Sequence, residues 1–346
     1  MKYISFIGLI VLFSACKKPE PVADPSSAEL TNSMLVLCEG LFQHNNSSIT
    51  WVDFSDESEH HNFFESQAQR SIGDTGNDIK RYGGKIYVVV NVSSTIEVMD
   101  AKTFKPIAQI PMFANGQSKQ PRSLAFASGK AYVTCFDGFV DVIDTSNLSV
   151  TQRIPVGENP EGLAVSNGKL YVANSGGLNF PNVDSTVSVI DLTQNMEISK
   201  ITIGKNPGGV LVNNAGEIFV IARGDYGADP SRLKKIDPLT DQVIETYSFN
   251  ISGMNPMDND NMLVFNATSV SRFNFQSNGI AQQDFIDLTD VYTLYNVVYR
   301  PSDGHFYVMD AMNYTNLGFV RKYNNAGVLV KSYQVGLNPS KIIFYD

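Results

Sequence analysis

The chain has 346 residues, 43% of them hydrophobic, and a formal net charge of −9. That composition is globular, and the length alone would admit two or three domains. The charge is acidic and no basic run or patch interrupts it, which argues against nucleic acid as a partner.

The first element is the N-terminus. MKYISFIGLIVLFSAC carries one Lys, an apolar run from Tyr3 to Phe13, and small residues before Cys16. The run is short for a bilayer span and reads as a secretory signal over residues 1–15. Phe13-Ser14-Ala15-Cys16 resembles a bacterial lipobox, in which the Cys becomes the lipidated first residue. An ordinary signal with an incidental Cys is the alternative. Residues 16–32, containing Pro, Ser and Ala, read as a flexible tether. Multiple acylation of Cys16 would hold the chain stably on a membrane. Lys17-Lys18-Pro19-Glu20 favours surface display at the outer membrane, with the periplasmic face as the alternative.

Next comes a phrase that repeats about every forty residues, the period of a propeller blade. KIYVVVNVSSTIEVMDAKTFKPIAQI begins at Lys85, KAYVTCFDGFVDVIDTSNLSVTQRIPVG at Lys130, and KLYVANSGG…STVSVIDLTQNMEISKITIG at Lys169. Each holds a strand containing Tyr-Val, a loop, a strand ending in Asp, a turn and a further strand. Links such as GENPEGLAV and GKNPGGVLV supply a fourth strand. No blade can bury both faces alone, so the blades must stack in a ring. The expected fold is therefore all-β, a seven-bladed β-propeller over residues 33–346. The first blade takes three strands from 34–66 (MLVLCEG, SSITWVDF, HHNFFES), and five more blades run over 73–112, 119–156, 157–203, 204–249 and 287–336. The sixth, 250–286, keeps the strand rhythm without Tyr-Val. The final segment, Leu337 to Asp346, repeats the link and inner strand with nothing after it. It is expected to complete the first blade and close the ring.

Most recurring polar residues read as structural. Asp100, Asp144, Asp191 and Asp237 each precede a short turn that an Asp side chain can fix. Asn-Pro at 159–160, 206–207, 255–256 and 338–339 is expected to preset entry into the inner strand. Cys38 and Cys135 lie in different blades and read as buried free thiols.

Alternating strand directions put the loops between the second and third strands on one face, together with the blade-to-blade links. The opposite face carries tight turns too uniform for a specific site. On the first face, loops at 39–47, 174–185, 222–231 and 310–318 are long and unequal. They carry Phe42, His44, Asn174, Phe180, Arg223, Tyr226 and Tyr314. The links add Arg122, Met254, Tyr292 and Tyr295, and shorter loops add Asn91 and Phe136. Aromatic rings with Arg and Asn donors at a channel mouth make a small-molecule site. Catalytic signatures are absent: no G-x-S-x-G elbow, no phosphate-cradling Gly loop, and adjacent His60 and His61 that point apart in a strand.

YVANSG from Tyr171, looser versions at Tyr87 and Tyr132, CEGLFQHNNSSI, Gly73-Asp74-Thr75 and GGKIYVVVNVSSTIEVMDAKTFKPI together resemble the YVTN-type β-propellers, in particular their surface-lipoprotein branch in Bacteroidota. Members of that branch include lipoproteins that capture cobalamin and pass it to an energised, TonB-dependent outer-membrane transporter. The resemblance thus implies a non-enzymatic vitamin-capture protein, whose corrinoid would stack on aromatic rings and take hydrogen bonds from Asn, Arg and Tyr. His44 is the one candidate ligand to cobalt, and none is required. A protein-interaction scaffold at the cell envelope is the alternative function.

Overall fold

The computed structural model describes residues 30–346. The signal expected at 1–15, Cys16 and most of the expected tether lie outside the described residues. The chain forms seven four-stranded antiparallel sheets. Six are built in sequence order from an inner strand outward, starting at Gly76–Tyr82, Pro121–Ala127, Pro160–Ser166, Pro207–Val212, Gly253–Pro256 and Leu294–Arg300.

Blade 1 is assembled from both ends of the described chain. Its inner strand is Pro339–Tyr345, followed outward by Ser33–Cys38, Ser48–Asp53 and Glu59–His60. Leu35 pairs with Ile343 and Val36 with Ile342 in an antiparallel register. The expected closure of the ring by the C-terminal segment is therefore observed.

The outer strand expected from HHNFFES is largely a helix instead. Only Glu59–His60 pairs, and Phe63–Ala68 forms a short α-helix between left-handed residues Asn62 and Gln69. Neighbours in a strand point to opposite faces, so an edge strand could bury only one of two adjacent rings. The helix buries both Phe63 and Phe64, beside Trp51 and Phe104. A small hairpin, Phe113–Ala114 with Gln117–Ser118, also stands between blades 2 and 3.

The core lies between blades, which is what makes the Tyr-Val phrase recur. The ring of Tyr171 packs among blade 4 and 5 side chains, and its hydroxyl donates to Asp241 Oδ1 at 2.7 Å. Tyr132 does the same one blade earlier, donating to Asn195 at 2.9 Å. Tyr132 and Tyr171 thus stitch their blades to a turn of the next, whereas Tyr307 donates to Asp303 within its own blade and the buried Tyr87 hydroxyl has no partner among the described residues. The turn aspartates act as expected: Asp100 Oδ1 accepts from the backbone N–H of Lys102 and Thr103, and Asp144 and Asp191 repeat the pattern. Asn159, Asn206 and Asn338 take the left-handed conformation just before inner-strand prolines. Asn255-Pro256 departs from that expectation, because it ends the inner strand of blade 6 rather than opening it. Cys38 and Cys135 are buried and free, and burial pushes the Cys38 thiol up to about 12.

Candidate functional site

Four of the seven inner strands begin at a proline, and in each the next residue lines the channel mouth. Arg122 follows Pro121, Glu161 follows Pro160, Gly208 follows Pro207 and Ser340 follows Pro339. These four line a cavity of about 600 Å³, with Glu39, Tyr295 and Lys341 beside them. The channel continues toward the opposite face as a second cavity of about 670 Å³, which includes Asp78, Lys80, Arg81 and Lys341. Inner-strand residues line it, and the short turns of that face do not.

Charged groups at the mouth are arranged around two carboxylates. Arg122 Nη2 lies 3.2 Å from Glu161 Oε2, its other terminal nitrogen donates to Asn77 Oδ1, and its guanidinium sits 4.6 Å over the Phe136 ring. Arg223 Nη1 approaches the other Glu161 oxygen at 3.6 Å. Burial would raise the Glu161 carboxyl, but the Arg122 and Arg223 guanidiniums outweigh it and hold the group below the ordinary carboxylate range. Glu39 goes the other way. Burial pushes it up despite the hydrogen bond donated by Tyr295.

The mouth opens sideways above blade 6. That blade links its second and third strands by Ala267 and Thr268 alone, whereas blades 5 and 7 carry the loops 223–231 and 311–316 there. The result is a notch with Phe265, Asn266 and Ala267 as floor and Arg223 and Tyr314 on its sides. A cavity of about 460 Å³ under Tyr226 and Pro230 adjoins it, and a smaller one of about 190 Å³ runs outward along blade 6. Asn250 lines all three. A glycine permits the floor: a Cβ at Gly253 would lie 2.1 Å from the Phe265 ring.

The structure gathers some of the expected site residues and disperses others. Arg122, Arg223 and Tyr314 line the main cavity, Tyr226 lines the next, and Phe180 stands 6.4 Å from Tyr226. Phe136 acts through Arg122. Asn91 and Asn174 are buried structural amides: Asn91 donates to the Pro121 carbonyl, and Asn174 bonds Gly157, Thr186 and Ser188. Phe42, His44 and Tyr292 sit exposed on the loop face and line none of these cavities. The loop bearing Phe42 and His44 is held by Asp74, whose carboxylate accepts from the Gln43 and Asn45 backbone N–H groups. That is the work of the Gly73-Asp74-Thr75 phrase. Sequence reasoning missed Glu39, Glu161, Asn250 and Lys341. For Glu161 the available signal was its position directly after Pro160; Glu39, Asn250 and Lys341 carry no such mark.

A family profile described as a domain of unknown function (DUF5074) matches residues 32–344. The chain belongs to the DUF5074 family. No curated protein matches it. Among solved structures, this DUF5074 propeller resembles a quinoprotein alcohol dehydrogenase-like protein from Bacteroides thetaiotaomicron at 14% identity and a TM-score of 0.70, over 92% of this chain and 79% of that one. It also resembles Kuenenia stuttgartiensis hydrazine synthase at 18% identity and a TM-score of 0.60, over 75% of this chain and 85% of the other. A dihydro-heme d1 dehydrogenase follows at 12% identity and 0.58, over 91% and 76%. At these identities the likeness is one of fold.

Proposed function

We propose that this DUF5074 propeller is a non-enzymatic binding protein, lipid-anchored through Cys16 at the outer membrane, which captures cobalamin for a TonB-dependent transporter. The observation that carries the binding reading is the notch above blade 6. Contiguous cavities meet there at Asn250, between the Phe180–Tyr226 and Tyr295–Tyr314 aromatic pairs. A broad, partly planar ring with amide arms suits that mixture, since rings bury its faces and the Asn250 side chain, which only accepts from Ser231, keeps its N–H donors for those arms. Cavities of this size and polarity suit a polar ligand better than a small hydrocarbon.

A scaffold reading has its own support. Phe42, Leu178, Phe180 and Tyr292 form an exposed apolar crown on the loop face, with Phe42 66% and Tyr292 73% accessible. Such a crown suits a protein partner, and in the capture reading that partner is the transporter. Mixing the purified protein with cobalamin and desalting separates the two. Capture predicts that the protein stays pink and that calorimetry shows binding. A colourless protein with no heat of binding would favour the scaffold.

A further inference from the structure

We propose that Arg223 is an anion-recognising residue, and that the ligand of the channel mouth presents an oxyanion, phosphate or carboxylate, to its guanidinium. This rests on the binding reading above.

The geometry begins at Gly208. A Cβ there would lie 2.3 Å from Arg223 Cζ, 2.4 Å from Nε and 2.5 Å from Nη2. Nearly equal distances to three atoms mean that the glycine backs the plane of the guanidinium and not one of its N–H edges. The corresponding positions of blades 3, 4 and 1 hold Arg122, Glu161 and Ser340, so the missing side chain at 208 is what seats Arg223. Glu161, 3.6 Å from Nη1, is its one polar partner among the described residues. The Nε and Nη2 donors are left for whatever enters, and Arg223 borders both the 600 Å³ and the 460 Å³ cavities. A flat guanidinium with an open edge takes an oxyanion through paired hydrogen bonds.

Local charge agrees. Arg122, Arg223 and Lys341 face Glu39 and Glu161 around the mouth, a cationic excess within a chain of net charge −9. Burial, by raising Glu39, tips the balance further.

The test titrates the full chain with inorganic phosphate and, separately, acetate, followed by calorimetry. The parent is expected to bind at least one; the tighter of the two assigns the source as phosphate or carboxylate. Arg223→Gln should weaken that binding about tenfold, and Arg223→Lys by less. Gly208→Ala keeps every charge but unseats the guanidinium, and should weaken binding about as much as Arg223→Gln. Arg153→Gln, on an outer strand, should change nothing. Failure to bind either anion, or equal binding by parent and Arg223→Gln, would overturn the proposal. Cobalamin retention without anion binding leaves the capture reading standing and removes this one. Anion binding lost in Arg223→Gln, without cobalamin retention, does the reverse.

Discussion

The Tyr295 hydroxyl donates to Glu39 Oε2 at 2.7 Å. The bond joins the entry of blade 7 to the first loop of blade 1, so the seam of the ring is held at the channel mouth as well as by strand pairing.

This pair makes a pH prediction with a definite sign. Burial raises Glu39 above its ordinary value. A carboxyl raised in the fold binds more protons folded than unfolded, so its contribution falls as pH rises from the ordinary carboxylate range through the folded value. Glu39→Gln keeps an acceptor for Tyr295 and removes that loss. Its Tm should match the parent near about pH 4 and exceed it near about pH 7. A gap of the same size at both values would show that Glu39 is not raised.

Glu161 has the opposite sign. Burial raises it, but Arg122 and Arg223 hold it below the ordinary range. Its contribution is present above the unfolded value and lost as pH falls through the folded one. Glu161→Gln should cost about 1–3 kcal/mol near neutrality, because two half-buried guanidiniums lose their carboxylate. The cost should shrink in acid. Chemical denaturation at both ends of the range checks it.

Ring closure predicts unequal effects at one ion pair. Arg300 Nη2 lies 2.7 Å from Asp346 Oδ1, but the Asp346 side chain is 63% exposed and Arg300 only 7%. Asp346→Ala should change stability by less than about 1 kcal/mol. Arg300 also covers the Phe54 ring at 4.7 Å and bonds the Tyr345 carbonyl. Arg300→Ala should therefore cost about 2–4 kcal/mol. Deleting 337–346 removes the inner strand of blade 1 and should leave aggregated protein. A soluble deletion variant with the parent's melting temperature would rule out this closure.

The proposed anchor at Cys16 is tested independently of the fold. Cys16→Ala should move the protein from the membrane fraction to the soluble fraction, or leave it with the signal uncleaved. Partition identical to the parent would remove the lipobox reading.

The ring was legible in the sequence because its causes are local and repeated. Each Tyr-Val tyrosine fills the same inter-blade gap, and Asp100, Asp144 and Asp191 each accept the same pair of backbone bonds. Blade 1 was misread at 60–66 because adjacent Phe63 and Phe64 look like strand residues until both need burial. The site was only partly legible. A long loop drew attention to Phe42 and His44 and a blade link to Tyr292, yet neither says which way a ring turns. Asn91 and Asn174 resemble ligand donors until their partners, Pro121 and Gly157, are found far along the chain or in a link. The notch over blade 6 was invisible because it comes from a loop that is short between two long ones. Only their placement in space makes that a cavity.

Ligand capture at the notch is tested most directly by filling it. Ala267 is exposed on the tight turn of blade 6 and forms part of the cavity floor. Ala267→Trp should leave the melting temperature unchanged, while cobalamin affinity by calorimetry falls at least about tenfold, a loss of about 1.4 kcal/mol. Equal affinity in parent and Ala267→Trp, or no binding by the parent, would contradict ligand capture there.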